Sequence, residues 1–194
     1  MPEIGDFNQA RTDLRAGMAS HQHVRQQAGT VGGNSVRMDV GKAKHVVEAL
    51  NIDLAATVVL YHQLRKHYWT ITGAHHHGLT SFFRDAADDM RGFADALADR
   101  IHTLGGVPSS GPAALEQQSH VPFEGADIYV SQRALANDLQ AYGDLIEQVS
   151  SHIELAKSYG DHATGEILRY HLVILEEYAH LFSQFLHEDS LTFS

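Results

Sequence analysis

The chain has 194 residues, 43% of them apolar, no cysteine, 14 basic against 24 acidic side chains, and 15 histidines, for a net charge of −10. Its length suits one domain or a tight pair, with ample chain to bury a core. The lack of cysteine removes disulfide scaffolds, Cys-bearing zinc sites, iron–sulfur clusters and thiol nucleophiles together. No run approaches the roughly 18 apolar residues of a membrane helix. Residues 1–10 lack the apolar core of a secretory signal, so a cytoplasmic location is the expectation. The negative balance argues against a uniformly basic nucleic-acid binder.

Charge is divided unevenly along the chain. Residues 1–44 sum to +2 and the remaining 150 to −12. Residues 1–38 are rich in Gln, Gly, Ser and Asn, with Gly29, Gly32 and Gly33 close together. Such a stretch buries too little apolar surface to offset ordering entropy, and it reads as a mobile, mildly basic tail on an acidic body at 39–194.

Four long helical patterns follow. The first covers about 41–69, with Val47, Leu50, Leu54, Val58, Tyr61 and Leu64 three and four apart. The second covers about 77–104 through Leu79, Phe83, Met90, Phe93, Leu97 and Ile101, and Gly105-Gly106 with Pro108 ends it. A loop-rich stretch over 106–125 contains a possible short helix that begins at Pro112. The third long pattern covers about 128–159, with Gly160 as its C-terminal cap. Asp161 then caps a fourth that runs to about residue 187. No segment alternates with period two. The expected fold is all-α: a ferritin-like four-helix bundle with a short extra helix in the long crossover.

Two stretches carry a resemblance: Leu60-Tyr-His-Gln-Leu-Arg-Lys-His-Tyr-Trp-Thr-Ile-Thr-Gly-Ala74, and Ala98-Asp-Arg-Ile-His-Thr-Leu-Gly-Gly-Val-Pro108. Together with Leu50-Asn-Ile-Asp-Leu54, Gly160-Asp-His-Ala-Thr164 and Asp189-Ser-Leu191, they resemble the Dps family of small ferritin-like shells over roughly residues 37–191. The resemblance implies a homododecamer, with the short helix at a two-fold interface. It also implies iron as cargo, oxidised by peroxide and stored as mineral, hence protection against peroxide stress. Some family members bind DNA without base specificity, often through a basic tail.

The family's oxidation site, as the resemblance implies it, lies between two subunits. One supplies a His before the Trp, a His on the second helix and an acid four residues later; the other supplies an Asp and a Glu four apart. Here those positions hold Tyr68, Thr80 and Arg84, then Asp95 and Asp99. Ferrous iron prefers imidazole and carboxylate with an open position, so the site reads as degenerate, with Asp95 and Asp99 as its residual ligands. Thr80, Arg84, Asp88, Arg91, Asp95 and Asp99 share one helical face, where Arg84–Asp88 and Arg91–Asp95 are the expected ion pairs. That face reads as solvated charge, as a salt-bridged interface, or as a remodelled metal site.

Other histidines offer alternatives. His75-His76-His77 at the start of the second helix reads either as a patch for another divalent metal or as exposed polar filler. His67 sits one residue from the lost ligand, but one helical step turns it by about 100°. Glu177-x-x-His180 has the spacing used by larger ferritins, yet the matching place on the second helix holds Met90 and Phe93. It therefore reads as structural. Trp69 reads as a core or interface residue. For weak, salt-sensitive DNA binding, the tail residues Arg11, Arg15 and Arg25 are the candidates, and nucleoid association would follow from it. The alternative to an iron-oxidising shell is a non-enzymatic assembly of the same build.

Overall fold

The structure is a computed structural model, and it describes residues 24–73 and 76–187. Five helices follow in chain order: α1 (Val40–Thr70), α2 (His76–Thr103), α3 (Pro112–Gln118), α4 (Ser131–Ser158) and α5 (His162–Leu186). Among the described residues there is no strand, and no helix is long and apolar enough to cross a membrane. α1 packs along α2 and α4 along α5. These pairs meet through α1 against α4 and α2 against α5, and α3 lies on α1.

The helix ends follow from their local chemistry. Asp39 caps α1 by accepting from the backbone N–H of Lys42 at 3.0 Å. α3 starts with Pro112 in its first turn, where a missing N–H costs nothing. α4 ends at Gly160, whose φ of 73° suits a residue without a Cβ. Asp161 then caps α5 through the N–H of Thr164 at 3.1 Å.

The apolar stripes close into one core built around Leu50, Leu64, Phe83, Phe93, Tyr142 and Phe182. Phe182 meets Phe82 and Tyr142 with ring centroids at 4.8 and 5.3 Å. The Leu104-Gly105-Gly106 sequence has a steric reason. Gly105 adopts φ +82°, and a Cβ there would lie 2.6 Å from the carbonyl oxygen of Gly32. A Cβ on Gly106 would lie 2.6 Å from Val47 Cγ1. α2 therefore ends flush against α1 and the incoming segment. Within the stretch read as a tail, Gln26 Nε2 and Gly32 N both donate to the Gly105 carbonyl, each at 2.9 Å, so this part is tied to the bundle.

His171 of α5 stacks on Phe93 at 4.1 Å. Burial there lowers its pKa to about 4, against a weaker opposing pull from Asp89. A histidine depressed in the folded state adds stability above its unfolded value of about 6.5, and that stability is lost as pH falls toward the folded value. His171→Leu should therefore flatten the loss of stability between about pH 6.5 and 4. Urea midpoints measured across that range test this; an unchanged slope would refute it.

Candidate metal face and a buried charged clasp

On α2, Arg84, Asp88, Arg91, Asp95 and Asp99 are exposed and Thr80 is half-buried. Their pairing differs from the expected pattern. Arg84 Nε reaches Asp85 Oδ1 at 3.3 Å, and Arg91 Nε reaches back to Asp88 Oδ1 at 3.7 Å. The arginine stems fold toward nearer carboxylates, and in exposed positions such pairs are worth about 0–1 kcal/mol. Arg84–Asp88 and Arg91–Asp95 are thus not the pairs formed. Asp95 and Asp99, one turn apart, have no cation within ion-pair distance among the described residues.

The remaining candidates are scattered. Tyr68 is half-buried, with the Arg65 guanidinium 4.8 Å from its ring centroid. Trp69 is not a core residue of the subunit: it is 66% exposed, with the same guanidinium 5.4 Å from its ring. Its indole projects over the end of α1, beside the crossover. His76 uses Nδ1 on the Ile71 carbonyl at 2.8 Å, and both His76 and His77 are exposed. His75, Arg11 and Arg15 lie outside the described residues, while Arg25 is exposed. Glu177 and His180 are also exposed. Among the described residues of one chain, no three His, Asp or Glu side chains gather in a way that would hold a metal ion.

The densest polar cluster lies elsewhere, beneath Tyr68 and Trp69. His67 of α1 is 3% exposed and is held between two carboxylates. Its Nδ1 is 2.6 Å from Asp138 Oδ2 on α4, and its Nε2 is 2.5 Å from Glu124 Oε1 in the crossover. Lys66 Nζ donates to Glu124 Oε1 at 2.6 Å and to the Gly125 carbonyl at 2.7 Å. Asn137 donates to Glu124 Oε2 at 2.6 Å. Gln63 donates to Asp138 Oδ1 at 2.8 Å and accepts from the Glu124 N–H at 3.1 Å.

Ionised carboxylates only accept hydrogen bonds, so two such contacts require His67 to donate from both nitrogens, as imidazolium. Burial opposes that charge, but the hydrogen bond and charge of Asp138, joined by Glu124, outweigh it and raise the His67 pKa. Burial also works against the Glu124 anion. Asn137, Lys66 and His67 together overcome it and lower the Glu124 pKa. Asp138, wholly enclosed, is raised by desolvation against the pull of His67 and Gln63. Two cations thus face two anions inside the bundle.

Sequence spacing could not find this cluster, because its members are 57 and 71 residues apart. A second buried pair, His152 Nδ1 with Asp53 at 2.8 Å, was missed for the same reason. Two of the resembling stretches do meet in space. Arg100 donates from Nη2 to Asp161 Oδ1 at 2.6 Å and from Nε to Thr164 Oγ1 at 2.8 Å, which joins the end of α2 to the start of α5.

A family model described as "Ferritin-like domain" matches residues 47–192. The "DNA protection during starvation protein" of Halobacterium salinarum is 43% identical over 175 residues, 90% of this chain and 96% of that one. The chain belongs to the Dps branch of the ferritin-like family. A "Nutrient stress-induced DNA-binding protein" of Nostoc is 31% identical over 175 residues, 90% of this chain and 95% of that one. The solved structure of an archaeal Dps homologue from Halobacterium salinarum superposes with a TM-score of 0.85 at 43% identity, covering 89% of this chain and 96% of that one. DpsC from Streptomyces coelicolor, at 24% identity, covers 87% of this chain and 99% of that one with a TM-score of 0.85, which speaks to the fold alone. This Dps-branch chain keeps the bundle and the short crossover helix.

Proposed function

We propose that this protein is a Dps-type shell subunit that sequesters iron and limits peroxide damage through a degenerate oxidation site between subunits. The observation that carries this reading is the pair Asp95 and Asp99, exposed one turn apart on α2 and unpaired within the described chain. Carboxylate oxygens suit ferrous iron, but two of them on one helix make an incomplete coordination set. Tyr68 and Thr80 add no imidazole, and the Arg84 cation opposes a metal ion at close range. The cargo is iron, held weakly at entry, and oxidation is slow. His76 and His77, with His75, are a secondary patch for another divalent metal.

The assembly expected with this reading is a homododecamer, located in the cytoplasm. The names of the Halobacterium salinarum and Nostoc relatives, which speak of DNA protection and DNA binding, support a second role on nucleic acid. Arg25, with Arg11 and Arg15, would serve it, against a body of −12. Such binding is weak, salt-sensitive, and raised by the many copies in one shell.

Ferrous iron and peroxide added to the assembled protein test the reading, with ferric absorbance and iron co-migration on size exclusion as readouts. Iron should travel with the shell and oxidise faster than in a protein-free control. A rate equal to that control would leave the non-enzymatic assembly as the better reading. Iron that fails to co-migrate would remove the iron function altogether.

A further inference from the structure

The clasp and the exposed Trp69 share a wall. Beside Trp69 lies an open, largely apolar groove of about 610 Å³, lined by Val58 and Lys66 of α1, Leu115 of α3, and Phe123 and Ala126 of the crossover. Lys66, Phe123 and Ala126 bracket the clasp residue Glu124 in space or in sequence. The shape of the groove therefore depends on where the crossover sits.

Among the described residues, no backbone–backbone hydrogen bond ties residues 121–129 to a helix. Side chains hold this segment instead. Gln63 takes the Glu124 N–H, Lys66 takes the Gly125 carbonyl, and His67, Lys66 and Asn137 take the Glu124 carboxylate. Tyr129 bonds the Glu124 carbonyl at 3.0 Å, within the segment itself. Gly125, at φ +95°, supplies a backbone position that turns freely.

We propose that the His67–Glu124–Asp138 clasp is a latch that keeps the crossover in the conformation against which a second copy of this chain docks, so that subunit assembly is gated by the proton on His67. The gate rests on the Dps-type reading above, in which the short crossover helix lies at a subunit interface. With His67 charged, both ring nitrogens donate. A neutral ring keeps one N–H and turns a lone pair toward the other carboxylate, so one attractive contact becomes repulsive. Lys66 alone then faces two carboxylates.

The charged and titratable groups around His67 come from three elements: Lys66 on α1, Glu124 and Tyr129 in the crossover, and Asp138 on α4. α2 places the Phe83 ring 5.4 Å away. A cavity of about 250 Å³, whose lining includes Gln63, Glu124, Arg133, Asn137 and Asp144, opens on the Glu124 side. The sign follows from the raised His67 pKa. The His67 contribution to the latch is fully present below about pH 6.5, the free value, and is lost as pH rises through the value in the closed form.

Hydrogen–deuterium exchange of residues 119–130 across pH 6–10, corrected for intrinsic exchange chemistry, reads the latch directly, and sedimentation of the full chain reads assembly. The opening equilibrium should rise by up to about tenfold per pH unit above 6.5 and then level off, and the shell should shift to smaller species over the same range. His67→Gln, which forms the same number of neutral contacts at every pH, should remove both pH dependences. Glu124→Gln is the second variant should His67→Gln fail to fold, and it should weaken protection of the crossover at pH 6.5 while reducing its pH slope. A transition that persists in His67→Gln or is undiminished in Glu124→Gln, or crossover protection that ignores pH in the native chain, would overturn the latch. A chain that stays monomeric at every pH while its crossover still opens with His67 would overturn the gate through the self-association reading, leaving the local opening as measured.

Discussion

Asp138→Ala should lower the unfolding free energy by about 3–5 kcal/mol, the cost of removing one partner from a buried ion pair. The reason is asymmetry. Asp138 is fully buried, and its removal leaves the His67 ring enclosed with one nitrogen facing a void and leaves a Gln63 amide donor without its acceptor. Both losses carry a desolvation penalty that water cannot relieve. Replacing the set by well-packed apolar residues of similar volume would cost far less, because the clasp itself offsets a large desolvation cost. A change of the whole set, Lys66, His67, Glu124 and Asp138 to Met, Leu, Met and Leu, should thus unfold at a higher urea concentration than Asp138→Ala alone. Both are measured at one fixed protein concentration, because assembly adds its own stability. Equal midpoints for Asp138→Ala and the native chain would show that the clasp relaxes or hydrates without penalty.

The second large effect is a gain. Tyr68→His, Thr80→His and Arg84→Asp together should raise the rate of ferrous oxidation at limiting iron by on the order of tenfold or more, which corresponds to only about 1.4 kcal/mol. The three changes supply two imidazoles and a carboxylate at the positions where the resemblance implies ligands, and they remove the Arg84 cation from that face. Arg84 is exposed, and Tyr68 is half-buried at the edge of the core, so the changes remove little packing. Thr80 gives up a hydroxyl that donates to the His76 carbonyl at 2.6 Å, a bond common on helices and cheap to lose. Asp95→Asn with Asp99→Asn in the same background should abolish the gain. A triple variant no faster than the native chain would place the entry of iron somewhere other than this face.

These two experiments separate features the chain shows in different ways. The helices, the short crossover helix at Pro112–Gln118 and the caps at Gly160 and Asp161 were legible because each depends on residues within a few positions of one another. That Tyr68, Thr80 and Arg84 stand where the resemblance implies ligands remains a proposal, drawn only from which residue stands at which position. The ion pairs on α2 were not legible, because arginine stems choose among several carboxylates at nearly equal energy. Nor was the exposure of Trp69, which depends on where the crossover leaves α1 uncovered.

Fifteen histidines on an acidic chain suggest metal, and position alone places at most three of them in a plausible patch. Amino-acid order determined the all-helical bundle and its breaks, because helix periodicity and capping are local properties. Only the tertiary structure decided that His67 and His152 are spent on buried carboxylates and that His171 is kept neutral against Phe93. Those outcomes depend on contacts between distant segments and on the loss of water around them, and neither is encoded in spacing along the chain.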